Sequence, residues 1–389
     1  IAQSGLDYLL SLIIFFMIII LYSELQTYLI AKSLESFITE LEIYERLSKR
    51  HFVKLILLYR KDLVAEGEKL EPRVLAKKIM ESRVFKSIMT YVDEVVNSFM
   101  IFPVTLDPSG IIERLEHLID IRKKRLRGIS ERILPDAPVY VRRNLESALE
   151  ATAVIRYIRK LSSHIYHIGR KTKNIYYLIQ LKIFAPFLKE LCAAFFDSLK
   201  GFTSGVPIGD SVGALVAQRF FGDYIDVDEE TLMVYSSIEL EGRYVLSVKA
   251  MGPGSETGNP GRFLEKILQK IEGNVDAIIT VDAALRLESE DVGRVDVGVG
   301  AAIGDLGPEK IRIEKWAAKY GIPLFAVVIK ENYIESLSPM RKILLESVEN
   351  ACKVIKRLII EEVPEGGKAI ILGIGNTVGI QNRPSGTET

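Results

Sequence analysis

Residues Tyr8 to Tyr22 (YLLSLIIFFMIIILY) form an uncharged, almost wholly apolar run. A helix of about 20 apolar residues spans a bilayer, so this run is at the short end of the spanning range. A cleaved signal peptide is the competing interpretation, but no small-residue cleavage site follows the run and no basic region precedes it. We therefore expect residues 1–30 to form a single-pass transmembrane anchor that contacts membrane lipid.

The distribution of charge indicates an orientation. Basic residues first appear after the apolar run, at Lys32 and Arg46, so the positive-inside rule places the bulk of the chain in the cytoplasm. Residues 24–200 contain 31 Lys+Arg against 22 Asp+Glu, whereas residues 201–389 contain 20 against 28. A basic half and an acidic half of one chain can face each other in an assembly, so we expect a homo-oligomer.

Residues 31–200 have the apolar spacing of helices. Asp-Pro at 107–108 and Leu-Pro at 134–135 divide the region into about five segments. The stretch from Arg142 to Lys182 contains Gly169 but no proline, which favours one long helix. We expect a helical stalk or bundle over this region.

A basic stretch lies inside this helical region. Residues 122–173 contain 14 Lys+Arg and four Asp+Glu, and the densest part is Arg122, Lys123, Lys124 and Arg125. These charges suit a solvated helix face, a membrane surface or an acidic partner. Nucleic acid is the least favoured partner because no RNP or KH signature accompanies the charges.

Residues 201–389 alternate strand-like and helix-like segments, which predicts a three-layer α/β domain with a mainly parallel sheet. The fold class is therefore α+β overall, with a transmembrane helix, an all-α region and this C-terminal domain. The predicted strands are Leu232–Ile238, Tyr244–Ala250, Val275–Val281, Val295–Val299, Leu324–Ile329 and Ala369–Ile374. The predicted helices are Ser211–Phe221, Gly261–Glu272, Glu309–Tyr320 and Pro339–Ile360.

Carboxylates and glycine-rich turns gather at the predicted strand ends. Asp282 directly follows a buried strand, and Asp210 precedes a helix. The carboxyl edge of an open α/β sheet is where ligands bind, so these side chains are the candidate site. The remaining candidates lie in the glycine-rich turns, where they could hold a substrate or support the aspartates: Gly252, Gly254, Glu256, Asp305, Gly375 and Asn376.

The residues of the C-terminal domain also carry a resemblance. Val206-Pro-Ile-Gly-Asp210-Ser-Val-Gly213 resembles the turn that carries the first aspartate of bacterial spore germination proteases and is similar to a turn of hydrogenase maturation proteases. Met251–Gly258 resembles the glycine-rich loop of the germination enzyme, and Val275–Leu285 resembles its strand that ends at the second aspartate. Ala369–Asn376 resembles the strand with which that family begins, so the domain is expected to be circularly permuted. The membrane and helical parts resemble an archaeal family of membrane-anchored proteins of unknown function.

The resemblance implies peptide hydrolysis by an aspartate pair, without a cofactor. Asp210 and Asp282 would share a proton and activate one water. Hydrogenase maturation proteases use a histidine near their metal, and no histidine follows His167, so we expect no metal of that kind. Serine and cysteine nucleophile schemes lack their histidine in this domain for the same reason.

Two other functions remain open. Asp210 could be only a helix N-cap, and Asp282 could cap a turn; the protein would then be a non-enzymatic homo-oligomeric scaffold with a degenerate protease-like domain. A small-ligand or nucleotide-binding module is the third possibility, although Gly373–Thr377 matches neither phosphate-binding glycine motif.

Overall fold

The computed structural model describes residues 2–59, 72–97, 110–304 and 307–384. The chain divides into two compact units, residues 1–49 with 154–193 and residues 50–153 with 194–389. The described helices before the sheet are α1 (Ala2–Tyr59), α2 (Pro72–Glu81), α3 (Arg83–Asn97), α4 (Ile111–Ile133), α5 (Val139–Thr172) and α6 (Ile175–Ser204). The predicted helical region is thus confirmed.

In the first unit, α1 changes character along its length. Its large apolar side chains between Leu10 and Leu29 are exposed, and the helix is long and apolar enough to be a single membrane span. From Ile30 onward its buried apolar residues recur every three or four positions, as in Leu34, Phe37 and Leu41. This spacing puts them on one helix face, which packs inside the unit.

Ion pairs and hydrogen bonds within the first unit align α5 and α6 with α1. Glu45 pairs with Arg159, and the Tyr166 hydroxyl donates to Glu35. Glu40 accepts from the Lys189 Nζ at 2.6 Å. The order of the two α5 contacts makes α5 antiparallel to α1. α6 packs back against α5 after the turn at Thr172–Ile175, so it is parallel to α1.

The expectation of one helix from Arg142 to Lys182 was wrong. The chain turns between Thr172 and Ile175, where Lys173 has a φ of 54°. Gly169 permits the close packing that follows, because a Cβ there would come within 2.7 Å of the Leu178 side chain. Lysine and asparagine at 173–174 end the helix, so neither a glycine nor a proline marks this turn in the sequence.

In the second unit, seven strands form one sheet in the order β1-β2-β3-β7-β4-β6-β5. The strands are β1 (Asp226–Asp228), β2 (Met233–Leu240), β3 (Arg243–Ala250), β4 (Ala277–Leu285), β5 (Val295–Val299), β6 (Leu324–Glu331) and β7 (Lys368–Gly373). The four central strands β3, β7, β4 and β6 are parallel, and β1, β2 and β5 pair antiparallel at the edges. β1 was not predicted, and β7 lies at the centre although it comes last in sequence.

Helices cover both faces of the sheet, which confirms the three-layer architecture. α7 (Val212–Gln218) and α11 (Lys342–Glu362) pack on one face, and α8 (Pro260–Lys270) and α9 (Pro308–Tyr320) on the other. The short helix α10 (Tyr333–Leu337) precedes α11 and lies outside the predicted helix Pro339–Ile360. In β4, Ile279 and Val281 face the first pair of helices and Ile278 faces the second. A strand covered on both faces is continuously apolar, as this one is.

Candidate active site

Asp210 lies in a single 3-10 turn, Gly209–Ser211, that leads into α7. Its Oδ2 accepts a hydrogen bond from the backbone N–H of Asn376 at 2.9 Å. No side chain caps the start of α7 at Ser211. Asp210 therefore binds the loop after β7 rather than serving as the N-cap of its own helix.

Glycines allow this turn to come close to the strand ends. A Cβ on Gly209 would lie 2.1 Å from the backbone oxygen of Glu335, and one on Gly213 would lie 2.2 Å from the backbone oxygen of Ile374. Gly375 has a φ of 113°, and a Cβ there would lie 2.0 Å from the Asp210 carbonyl oxygen. Glycine is required at such close backbone contacts because any side chain would displace one segment.

Asp282 lies inside β4 rather than after it, because β4 continues to Leu285. The β4–β7 pairing ends at Val281 and Gly373, whereas the β4–β6 pairing continues to Leu285. Asp282 is thus the first residue of β4 after its pairing with β7 ends. It is buried, and its Oδ1 accepts from the backbone N–H of Ala283 at 2.8 Å.

The electrostatics of the site connect the two aspartates. Burial raises the pKa of Asp210. Burial, followed by the negative charge of Asp210, raises the pKa of Asp282 well above its usual value. Two carboxylates that oppose each other's ionisation hold one proton between them at pH values where isolated aspartates would be ionised.

A third carboxylate, Glu331, belongs to this cluster and was not among the predicted site residues. Glu331 is the last residue of β6 and only 2% exposed, and neither of its carboxylate oxygens makes a hydrogen bond within the described parts of the chain. Burial and then the negative charge of Asp210 raise the pKa of Glu331 to about 8. The nearby Ser336 hydroxyl opposes this rise, although it does not meet the distance and angle of a hydrogen bond to the Glu331 carboxylate. A Cβ on Gly209 would lie 2.8 Å from its Oε2, which shows that Glu331 points at the turn carrying Asp210. The sequence feature that could have identified Glu331 is its position as a carboxylate shortly after the apolar run Leu324–Ile329.

The glycine-rich loop before α8 packs against α5. The backbone N–H of Ser255 donates to Asn144 Oδ1 at 2.8 Å, and the hydroxyls of Ser255 and Ser147 are 2.6 Å apart. A Cβ on Gly254 would lie 2.9 Å from Tyr140 Cα, and the amide of Gly252 donates to Asn382 at 2.8 Å. These two glycines therefore hold the loop in place.

Glu256 and Asn376 also make structural contacts. Glu256 Oε2 lies 3.4 Å from an Arg127 nitrogen and 3.5 Å from Arg143 Nε, while its Oε1 accepts from two backbone N–H groups of its own loop. The Asn376 side chain donates to the Ser255 hydroxyl at 2.7 Å. Asn376 thus connects Asp210 to the glycine-rich loop. Asp305 lies outside the described residues.

A cleft of about 300 Å³ borders this loop. Its walls are the α4 residues Ile119, Arg122, Lys123, Leu126 and Arg127, the α5 residues Glu146, Ser147 and Glu150, and the loop residues Ser255, Glu256, Thr257 and Asn376. Two of the four basic residues singled out in the sequence, Arg122 and Lys123, therefore line a cleft. Lys124 is exposed, and Arg125 pairs with Glu94.

A buried lysine supports the same end of the sheet. Lys249, near the end of β3, is fully buried and donates to the backbone oxygen of Ala250 at 3.1 Å and to Asn382 Oδ1 at 3.0 Å. Burial lowers its pKa to about 7. Asn382 in turn donates to the backbone oxygen of Gly252. Lys249 thus anchors the segment after β7 against the glycine-rich loop.

Two family models match the chain. One, described as the C-terminal domain of unknown function DUF1512, matches residues 208–381, and the other, described as the N-terminal domain of the DUF1512 protein of unknown function, matches residues 64–205. No curated protein and no solved structure matches the chain. Within the described residues, no group of three or more His, Cys, Asp or Glu side chains could hold a metal ion.

Proposed function

This chain belongs to the DUF1512 family, and from the geometry of its site we propose that it is a membrane-anchored peptidase. In this proposal, Asp210 and Asp282 activate the attacking water. The observation that carries the proposal is the burial of Asp282 beside Asp210 at the carboxyl edge of the parallel strands, where the charge of one opposes ionisation of the other. That arrangement supports acid–base catalysis by a carboxylate pair.

The two carboxylates differ in a way that assigns their roles. Each carboxylate accepts a backbone N–H, but the charge of Asp210 adds to burial in raising the pKa of Asp282 well above its usual value, so Asp210 is the general base that takes a proton from water. Asp282 holds the proton and donates it to the scissile carbonyl oxygen as the water oxygen bonds to the carbonyl carbon. When the tetrahedral intermediate collapses, Asp210 gives its proton to the leaving nitrogen and Asp282 recovers one from the new carboxyl group.

Glu331 has a different role in this scheme. With a pKa of about 8 it is protonated at neutral pH, so it adds no negative charge next to Asp210. A neutral acid there keeps Asp210 ionisable. The cleft of about 300 Å³ is the proposed place for a few residues of the substrate chain. Neither aspartate lines this cleft, and its link to the pair is Asn376, whose backbone N–H donates to Asp210.

Two further observations support the proposal. The central position of β7, between β3 and β4, agrees with a permuted arrangement in which the Gly-x-Gly-Asn strand has moved to the end of the chain. The amides of Ser255, Asn376 and Gly252 all donate to protein acceptors, so these three donors are not available to bind a phosphate. We therefore do not propose a nucleotide-binding function.

A membrane anchor gives the peptidase its place in the cell. The apolar helix α1 would hold the protein in the bilayer, and the lysines and arginines that follow it favour a cytoplasmic location for the bulk of the chain.

The alternative is a non-enzymatic homo-oligomeric scaffold. The scaffold is supported by three apolar side chains of α6 that are exposed: Ile183, Phe184 and Phe187.

The test uses the purified full chain in nanodiscs and a fluorogenic peptide library. Asp282→Asn and Asp210→Asn should each reduce cleavage by about a thousandfold or more, because the pair acts as a unit. Asp223→Asn, which changes an exposed aspartate, should retain full activity. If the wild-type chain cleaves nothing, or if cleavage survives both site variants, the peptidase proposal fails and the scaffold remains.

A further inference from the structure

The α5–α6 turn lies close to the end of the candidate membrane span. α6 runs parallel to α1, and Lys189 pairs with Glu40 at 2.6 Å. Tyr176 is 13 residues before Lys189, so with equal rise along both helices it lies beside residue 27 of α1, roughly 8 Å past Tyr22. Tyr166, near the end of α5, contacts Glu35 and gives the same alignment from the other helix.

The turn combines basic and aromatic side chains. Lys171 and Lys173 are exposed, and within the described ranges no carboxylate pairs with either of them. Arg170 adds a third positive charge, 3.7 Å from Glu35. Tyr176 is 73% exposed and Tyr177 is 42% exposed. Lysine beside exposed tyrosine is the composition of a protein surface at the level of lipid headgroups.

We propose that the tip of the α5–α6 hairpin, residues 170–177, is a second membrane contact that binds anionic lipid headgroups. The proposal requires that α1 spans the bilayer and is independent of peptidase activity. The headgroup layer is roughly 5–7 Å thick on each side of the hydrocarbon core, so a tip about 8 Å beyond the apolar run meets its outer boundary. Lys171 and Lys173 pair with lipid phosphates there, and the tyrosine rings enter the layer between headgroups.

The positive charge of the hairpin tip favours a membrane over a second copy of the chain as its binding partner. A symmetric contact between two copies would bring Lys171 and Lys173 of one protomer against the same residues of the other, and like charges oppose that contact. An anionic leaflet neutralises all of them at once. The contacts of α5 and α6 with α1 also place the hairpin tip next to the end of a segment whose exposed apolar side chains have the length and composition to cross the bilayer.

The test measures the depth of two matched tyrosine positions in the full chain. Cys192 and Cys352 are buried, so a fluorophore can be attached selectively to a cysteine in Tyr176→Cys or in Tyr157→Cys. Tyr157 is also exposed and belongs to the same unit, but it lies on α5 roughly 30 Å further from the membrane span. In nanodiscs of phosphatidylglycerol with a headgroup nitroxide lipid, quenching at position 176 should be at least about threefold stronger than at position 157. In phosphatidylcholine discs the difference should shrink.

Charge-reversal variants provide a second test of the proposal. Lys171→Glu combined with Lys173→Glu should lower quenching at position 176 to the level at position 157, whereas Lys182→Glu, at an exposed position further along α6, should leave it unchanged. Equal quenching at both positions in anionic discs, or quenching that ignores the charge reversal, overturns the proposal. Pyrene excimer formation at position 176 would also overturn it, because it would identify a second copy as the occupant. Peptide cleavage by the same variants reports separately on the proposed peptidase.

Discussion

The backbone N–H of Asn376 donates to Asp210 Oδ2 at 2.9 Å, across 166 residues of sequence. This bond joins the loop after the central strand β7 to the turn before α7, and it opposes the effect of burial on the pKa of Asp210. The Asn376 side chain continues the connection to Ser255 in the glycine-rich loop. Three segments that are far apart in sequence therefore hold one carboxylate in place.

Glu331→Gln should make the protein more resistant to alkaline pH. The folded-state pKa of Glu331, about 8, is above its usual value, so its contribution to stability is complete at acidic pH and is lost as pH rises through 8. The glutamine variant should gain about 4–5 kcal/mol over the wild type at pH 8.5 and little at pH 4. Chemical denaturation of the nanodisc-free protein in detergent, followed by circular dichroism at both pH values, measures this. An equal effect at the two pH values would contradict it.

Gly209→Ala should disrupt the site. A Cβ at this position meets the Glu335 carbonyl oxygen at 2.1 Å and Glu331 Oε2 at 2.8 Å. Backbone would have to move, so we expect a loss of about 2–3 kcal/mol in unfolding free energy. The control is Gly128→Ala in α4, where a Cβ meets nothing within 4 Å; that change should stabilise by about 0.5–1 kcal/mol. Denaturant midpoints of the two variants must therefore shift in opposite directions.

Lys249→Met should remove a pH dependence in the alkaline range. Because burial lowers the pKa of Lys249 to about 7, the unfolded chain binds a proton here more tightly than the folded protein, and stability rises with pH between 7 and the usual lysine value. We expect the wild type to gain about 2 kcal/mol from this group between pH 8 and pH 10. The methionine variant should lack that gain, as measured by urea midpoints at the two pH values. Identical slopes for both proteins would show that Lys249 is not the titrating group.

Asn144→Ala should loosen the glycine-rich loop. Asn144 is buried and accepts the backbone N–H of Ser255, which would be left without that acceptor. We expect a cost of about 1–3 kcal/mol and faster hydrogen exchange in residues 252–258. Asn350→Ala changes an exposed asparagine on α11 and serves as the control. Unchanged exchange in the loop would mean that α5 does not restrain it.

The periodicity of the sequence predicted most of the C-terminal domain. The apolar run Leu324–Ile329 became part of β6, because a strand inside the sheet has few other compositions open to it, and Val295–Val299 became β5, an edge strand whose residues are half-buried or exposed. Periodicity could not show that β5 pairs antiparallel, since strand direction depends on long-range pairing. It also missed the turn at Lys173, where the chain takes a positive φ without glycine.

The candidate site was predictable in part. Asp210 and Asp282 were identified from glycine-rich and strand-end positions, but the membership of Glu331 depends on how β6 lies beside β4. The roles of Gly252 and Gly254 also required the structure. Their neighbours, Asn382 and Tyr140, come from segments more than 100 residues away in the sequence. Close backbone packing of that kind has no local signature.

The position of β7 determines when the carboxylate cluster can exist. β4 pairs with β7 through residues 277–281, and Asp210 obtains its amide donor from the loop that follows β7. During synthesis, β3, β4 and β6 all leave the ribosome before the strand that joins β3 to β4. A nascent chain that already carries Asp210, Asp282 and Glu331 therefore lacks the element that brings the first of them to the sheet edge. Completion of the sheet by this late, long-range contact delays assembly of the carboxylate cluster until residues 368–376 have been made.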